Sequence, residues 1–254
     1  MAAPSAAHPF GTDQQSRDIF RQMVEGTRPT LFIGFSVALV GTLLGLIGMV
    51  GGYAGGWFDE VISLVTNIFL VIPAFPLVIV ISSWIQVKND IPMILVIGLT
   101  SWAFGARVLR SQTLSLRQRD YVQAAIVSGE SHWRIILDEI LPNMTSLVVS
   151  GFIGLVITAM GSAAGLFFLG LGNISGEANW FTILYWAQNA SALQQGAWWD
   201  FVIPGLAIAL VAVACALINY GIDEVSNPRL GAGRIKVARR ATAALDTERE
   251  AALS

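Results

Sequence analysis

Long stretches without a single charged residue alternate with short charged segments along this chain. The uncharged runs are Leu31–Gly52, Val61–Ile85, Ile91–Ala106, Met144–Gly172 and Phe201–Ile222. Each approaches or exceeds the roughly 20 apolar residues needed to cross a hydrocarbon core of about 30 Å, so the pattern predicts five transmembrane helices. The third run is the shortest, and Arg107 and Arg110 lengthen it by extending their heads to headgroup level. A water-soluble bundle of five buried helices would carry a polar face along each one, whereas charge here gathers at the ends.

Composition agrees. Hydrophobic residues make up 54% of the chain and charged ones 13%, with a mean hydropathy of +0.64. A formal net charge of −2 excludes a globally basic surface and, with it, nucleic acid as a partner. The single cysteine, Cys215, falls in the last span, where it reads as a small packing side chain and permits no internal disulfide.

Where the charges sit predicts orientation. Arg107, Arg110, Arg117, Arg119 and Arg134 lie between the third and fourth spans, and Arg229, Arg234, Lys236, Arg239 and Arg240 follow the fifth. The positive-inside bias makes both segments cytoplasmic. The connection from Asn173 to Asp200 has no Lys or Arg, but it carries Trp180, Trp186, Trp198 and Trp199; it is expected outside, with tryptophans suited to an interface or to an interfacial helix that docks a binding protein. Counting back puts residues 1–28 outside as well. Arg17, Arg21 and Arg28 strain that placement, although Asp13, Asp18 and Glu25 offset them. A further helix ahead of this tail, or outward insertion of the N-terminus, reconciles the count.

Glycines recur at helix-packing spacing, at Gly41 and Gly45, Gly51 and Gly55, Gly52 and Gly56, and Gly161 and Gly165, which lets backbones approach closely in lipid. Pro73 and Pro76 are expected to break the second helix, tolerable only where protein or a water-filled path covers the freed backbone. Ionisable residues are essentially absent from the middle of the spans, where Asn67 and Asn219 are the more central polar side chains. That counts against an ion-driven carrier and leaves no metal or acid–base cluster. His8 and His132 read as solvated side chains rather than ligands. "GLGNISGE" and "GAGRIK" lack the phosphate-cradling GxxxxGK[ST] pattern, so energy for uphill movement has to come from another chain.

The segment from Asp120 to Ile140 is helical in pattern with one interruption. "YVQAAIVSG" predicts a short helix stopped at Gly129; "SHWRIILDEI" restarts it with Ser131 as N-cap, and Pro142 precedes the next span. Two short helices on a glycine turn, anchored by spans on both sides, suit transmission of force to a partner. A merely solvated connection is the plain alternative.

The order of residues resembles the coupling-helix signature of ABC transporter permeases, the EAA motif: Glu-Ala-Ala, three residues, Gly, nine residues, Ile, one residue, Leu-Pro. Gln123, Ala124, Ala125, then Gly129, then Leu141 and Pro142 hold that spacing, with Gln123 in place of Glu and Glu139 in place of Ile. The second departure looks like the peptide-type branch. "HPFGTDQQSRDIFRQMVEGTRPTL", "WWDFVIPGLAIAL" and "NYGIDEVSNPRL" resemble the second permease, or C subunit, of dipeptide, oligopeptide and nickel importers, with Asn227 in place of the usual Asp. Members of that branch normally carry one more helix ahead of the His-Pro-x-Gly-Thr-Asp segment, in keeping with the orientation conflict.

The resemblance implies an all-α polytopic permease of the type I ABC importer kind: residues 1–28 extracytoplasmic, 29–228 the transmembrane domain with its coupling segment at 120–142, and 229–254 a cytoplasmic tail. It implies a second homologous permease, two ATPase subunits that bind ATP and Mg, and an extracytoplasmic solute-binding protein, with no cofactor and no catalysis in this chain. Tyr121, Gln123, Ala124, Ala125 and Gly129 would meet the ATPase groove and Arg134 an acidic residue there, while Leu141 and Pro142 set the angle of the fourth span. Peptides are the favoured substrates, with oligosaccharides and nickel chelates as alternatives. A secondary transporter would show intramembrane charges or inverted repeats, and a channel or scaffold would need no fixed spacing in the loop.

Overall fold

The computed structural model describes residues 1–85, 89–174 and 178–226. The basic tail expected at 229–254, Asn227, Lys88 and Glu177 lie outside them. The described residues are helical apart from turns and a single bridge between Thr12 and Asp18. Among the described residues four helices are long and apolar enough to cross a membrane, five when one bent pair counts as a span.

Helix α1 runs from Ile19 to Ala54 and begins well before the apolar run at Leu31. Asp18 starts it by accepting the Arg21 N–H at 3.2 Å, and an Arg21–Glu25 pair at 2.7 Å supports its first turns. His8 Nδ1 lies 2.7 Å from Asp18, so this partly exposed side chain is partnered as well as solvated, and the hydrogen bond chiefly holds the Asp18 carboxyl below its ordinary range. Pro29 is tolerated inside the helix because it removes one donor without stopping the chain.

The second span is broken. Helix α2, Gly56–Val71, and α3, Ala74–Trp84, meet at 88°. Pro73 makes the break, since it has no N–H for the Phe69 carbonyl; Pro76 lies in the first turn of α3, where a missing N–H costs nothing. Residues 71–76 are all exposed.

Helix α4, Asp90–Arg117, continues well beyond the apolar run at Ala106. Arg110 is not directed to headgroups: its Nε and Nη2 bind Asp59 of α2 at 2.5 and 2.6 Å. Helix α5, Asp120–Val127, follows; His132–Arg134 forms one turn, α6, which passes through a π-helical stretch at Ile135–Ile140 and a 3₁₀ turn at Pro142–Met144 into α7, Thr145–Phe168. Helix α8, Trp180–Asn189, and α9, Trp199–Ser226, complete the order.

The loop tryptophans are only partly the interface expected. Trp180 and Trp199 are buried, Trp186 and Trp198 exposed. The Trp180 indole donates to Met23 O at 2.8 Å and its backbone N–H to Thr30 Oγ1 at 2.9 Å, so α8 is stitched onto α1. Asn179 and Thr182 form a capping box at its start. The outward face of α9 is a stripe of exposed Leu206, Leu210, Val213 and Leu217, an exterior apolar enough for lipid or another apolar chain. Cys215 is buried within the larger core, formed mainly by α1, α4, α7, α8 and α9.

The glycine pattern is refined. Gly41, Gly45, Gly48 and Gly52 form one row on α1: the last three face α4, and Gly41 lies between Leu155 of α7 and Gly98 of α4. A Cβ at Gly48 would overlap the carbonyl of Ala106, and one at Gly52 would lie 2.9 Å from Arg110 O. Gly51 faces Ile62, Gly165 faces Phe75, and Gly161 meets nothing within 4 Å. Gly48→Ala is therefore expected to destabilise the chain by about 2 kcal/mol or more through overpacking against backbone. Gly161→Ala is expected to be neutral or stabilising by up to about 1 kcal/mol; thermal unfolding of both variants in detergent checks the contrast.

Candidate functional site

The chain between α4 and α7 is built from the residues that the spacing singles out. Helix α4 ends with carbonyls that lack partners. The Gln123 side chain takes one, its Nε2 donating to Arg117 O at 2.8 Å. A carbonyl only accepts, so this contact needs an amide and not a carboxylate; it gives Gln123 a reason to stand where the family pattern has Glu.

Within α5, Val122 is fully buried and Ala125 half-buried, while Tyr121, Gln123, Ala124 and Val127 face out. The helix closes with the Glu130 N–H on Ala125 O at 3.2 Å and the Gly129 N–H on Ile126 O at 3.1 Å, a Schellman motif. Gly129 has φ of +78°, a left-handed conformation that glycine adopts without penalty. The four-residue interval from Ala125 to Gly129 is thus the interval of that closure.

The return arm differs from the expectation in two ways. Ser131 has the extended backbone of an N-cap, yet its side chain makes no capping hydrogen bond. The arm is also not a separate short helix, because it continues into α7. The Leu141 N–H reaches back to Ile136 O at 2.9 Å, the wider π spacing, just before Pro142 removes a donor. Leu141 is half-buried against the core of this end, and Pro142 is exposed at the start of the 3₁₀ turn. Arg134 lies 3.9 Å from Glu130 and 3.6 Å from Asp138, loose exposed pairs worth a few tenths of a kcal/mol at about the level of other helix-surface pairs.

Three apolar side chains that the spacing does not single out dominate the exposed rim. Val127 is 86% exposed, Trp133 64% and Leu137 54%. The available signal is an apolar residue at positions where a solvated connection would carry a polar one.

A smaller core joins this segment to the bundle: Met49 and Tyr53 from α1, Leu109 and Leu116 from α4, Val122 from α5, and Ile135, Ile136, Ile140 and Met144 from the return arm. Tyr53 Oη lies 3.2 Å from His132 Nδ1, so His132 is partnered too. Its ring meets the imidazole edge-on at 5.7 Å, and the Arg117 guanidinium lies 5.7 Å from its centroid. Between α1, α4 and α7 runs a mainly apolar groove of about 400 Å³, lined by Gly41, Thr42, Ser101, Phe104, Gly151 and Thr158 among others. The described residues hold no group of three His, Cys, Asp or Glu that could bind a metal.

Helices long and apolar enough to cross a membrane, a groove between them and a two-arm projection at one end are the build of a multi-pass membrane protein. The chain belongs to the family described as binding-protein-dependent transport system inner membrane component, which matches residues 41–232, and is the permease of an ABC importer; the family is one of transport permeases, not enzymes. It is 33% identical over 234 residues to the dipeptide transport system permease protein DppC of Alkalihalophilus pseudofirmus, covering 91% of this chain and 75% of that one. It is 30% identical over 230 residues to the oligopeptide transport system permease protein OppC of Lactococcus lactis, covering 90% and 78%. A chain of the MetNI methionine ABC transporter, solved in inward-facing conformations, shares the fold with a TM-score of 0.59 at 20% identity, over 82% of this chain and 99% of that one.

Gln123→Glu removes the donor to Arg117 O and places negative charge at the C-terminus of α4. It is expected to cost about 1 kcal/mol at neutral pH. A carboxyl in that position is easier to protonate folded than unfolded, so the deficit shrinks as pH falls through its raised folded value and is gone once pH is below the ordinary value of about 4.3. Thermal unfolding against pH reads both.

Proposed function

We propose that this chain forms half of a translocation path with a second, homologous permease. Two ATPase subunits seated on the segment 120–142 drive it, and an extracytoplasmic solute-binding protein delivers di- or oligopeptides. ATP and Mg bind in those partners. The segment 120–142 and the chain's C-terminus lie in the cytoplasm, and α8 lies at the outer face.

The observation that carries the reading is the apolar rim of Val127, Trp133 and Leu137, spread over two arms that their own hydrogen bonds close. Such a surface suits a groove on a partner, with Tyr121, Ala124 and Gly129 as small or flat contacts around it and Arg134 reaching a carboxylate across the contact. Closure of the ATPases would then move the arms and rock the bundle between inward- and outward-facing forms. The peptide assignment rests on the relatives named for dipeptides and oligopeptides.

The broken span supports a second permease. Irregular backbone at membrane depth is not left to lipid; it is covered by protein or lines water. Residues 71–76 are uncovered within this chain, so another subunit or the path itself covers them. The groove between α1, α4 and α7 is wide enough to contribute to that path.

Tagged chain purified in mild detergent is expected to bring down ATPase subunits and a second permease. Val127→Asp is expected to cut ATPase recovery at least about tenfold without shifting the thermal midpoint of the chain. Recovery of the native chain alone in several detergents, or undiminished ATPase on the variant, counts against the coupling reading.

A further inference from the structure

The two arms of the segment are tied to the bundle unequally. The first arm follows α4 after only Gln118 and Arg119, and the return arm continues into α7. Helix α1, by contrast, has no covalent neighbour in the segment; at this end it reaches it through side chains. Met49 and Tyr53, with partly buried Leu46, supply that contact in the shared core, and among the described residues Tyr53 is the one of them that adds directional bonds. It is 5% exposed, with its hydroxyl on His132 of the return arm and its ring beneath Arg117 at the end of α4.

We infer that Tyr53 is the positioning residue through which movement of the segment reaches α1. The inference rests on the coupling role proposed above. Edge-on contact with His132, a hydrogen bond to the same ring and a cation over the face restrict the phenol in three directions, so displacement of His132 or Arg117 turns it rather than sliding past it. Met49 packs without direction and does not replace this. Arg117 also links the two ends of the joint, because its carbonyl accepts from Gln123 on the first arm. Tyr53 touches neither substrate nor nucleotide; it acts through α1.

The test uses the complex that co-purifies with the tagged chain, in lipid nanodiscs, in a Cys215→Ala background. Bimane is attached in separate preparations at Ser131→Cys, in the turn between the arms, and at Ala54→Cys, at the end of α1. Both positions are exposed. ATP with vanadate is expected to change both signals when Tyr53 is present. With Tyr53→Leu the signal at 131 persists while that at 54 falls on the order of fivefold, and with Tyr53→Phe, which keeps the ring and loses the hydroxyl, it falls about twofold.

A purely structural role would lower assembly and dampen both probes together, and that result overturns the joint. So does a full response at 54 in both variants. If the unmodified complex lacks ATPases, or its probe at 131 ignores nucleotide, the coupling reading itself fails and the joint falls with it. Tyr53→Phe guards against loss of folding in the leucine variant, since it removes a single hydroxyl.

Discussion

The contact of α1 with α4 at Gly48 and Ala106 is the constraint on which the rest depends. No side chain stands between the two backbones there, so the separation is set by van der Waals contact of main chain and has no soft layer to absorb strain. That spacing brings Asp59, one turn into α2, within reach of Arg110, and Tyr53 within reach of Arg117. A chain with larger residues along the Gly41–Gly52 row would separate the helices and break both contacts at once. The polar links at this end thus follow from packing and do not create it.

The row also decides which surface is left over. Because α1 spends its glycine face on α4, its large apolar residues Phe32, Phe35, Leu39 and Leu43 point outward, as does the leucine stripe of α9. In water such an exterior would aggregate; in lipid it is neutral. The broken second span is the exception to an all-lipid exterior, since its exposed irregular backbone needs a protein or aqueous neighbour.

Much of this was legible in the residues. Uncharged runs located the four long apolar helices and the bent pair, and Pro73 marked the break, because lipid imposes strict rules on length and on backbone hydrogen bonding. The helix ends were less legible: α1 starts at Ile19 and α4 ends at Arg117, since local ion pairs and caps extend a helix beyond the hydrocarbon, where hydropathy is silent. Spacing alone does not single out Gly48, because the row on α1 alternates intervals of four and three and the tightest approach is decided by the Ala106 carbonyl that faces it. Trp180 and Trp199 read as interfacial from composition, yet a tertiary partner, the N-terminal part of α1 or the turn before it, buries each. In the segment 120–142 the spacing of Ala125 and Gly129 was visible, while the amide at Gln123 became intelligible only with the Arg117 carbonyl beside it.

The segment's internal architecture bears on how a partner could act through it. The Schellman closure satisfies the Ala125 and Ile126 carbonyls within the arm, so the exposed side chains at its end are what a partner chiefly meets. The return arm trades regular α spacing for a π turn ahead of Pro142, and in doing so keeps Ile135, Ile136 and Ile140 all buried while Trp133 and Leu137 remain outside. A stiff outer rim and a buried inner row on the same arm mean that a push on Trp133 or Leu137 is delivered to the core of this end rather than dissipated in a loop. That core has members on α1 and α4 as well as on both arms. A displacement of the rim would therefore be delivered beside the backbone contact of α1 and α4, where that contact sets the spacing of the two helices and Tyr53 supplies the directional link from the arms to α1.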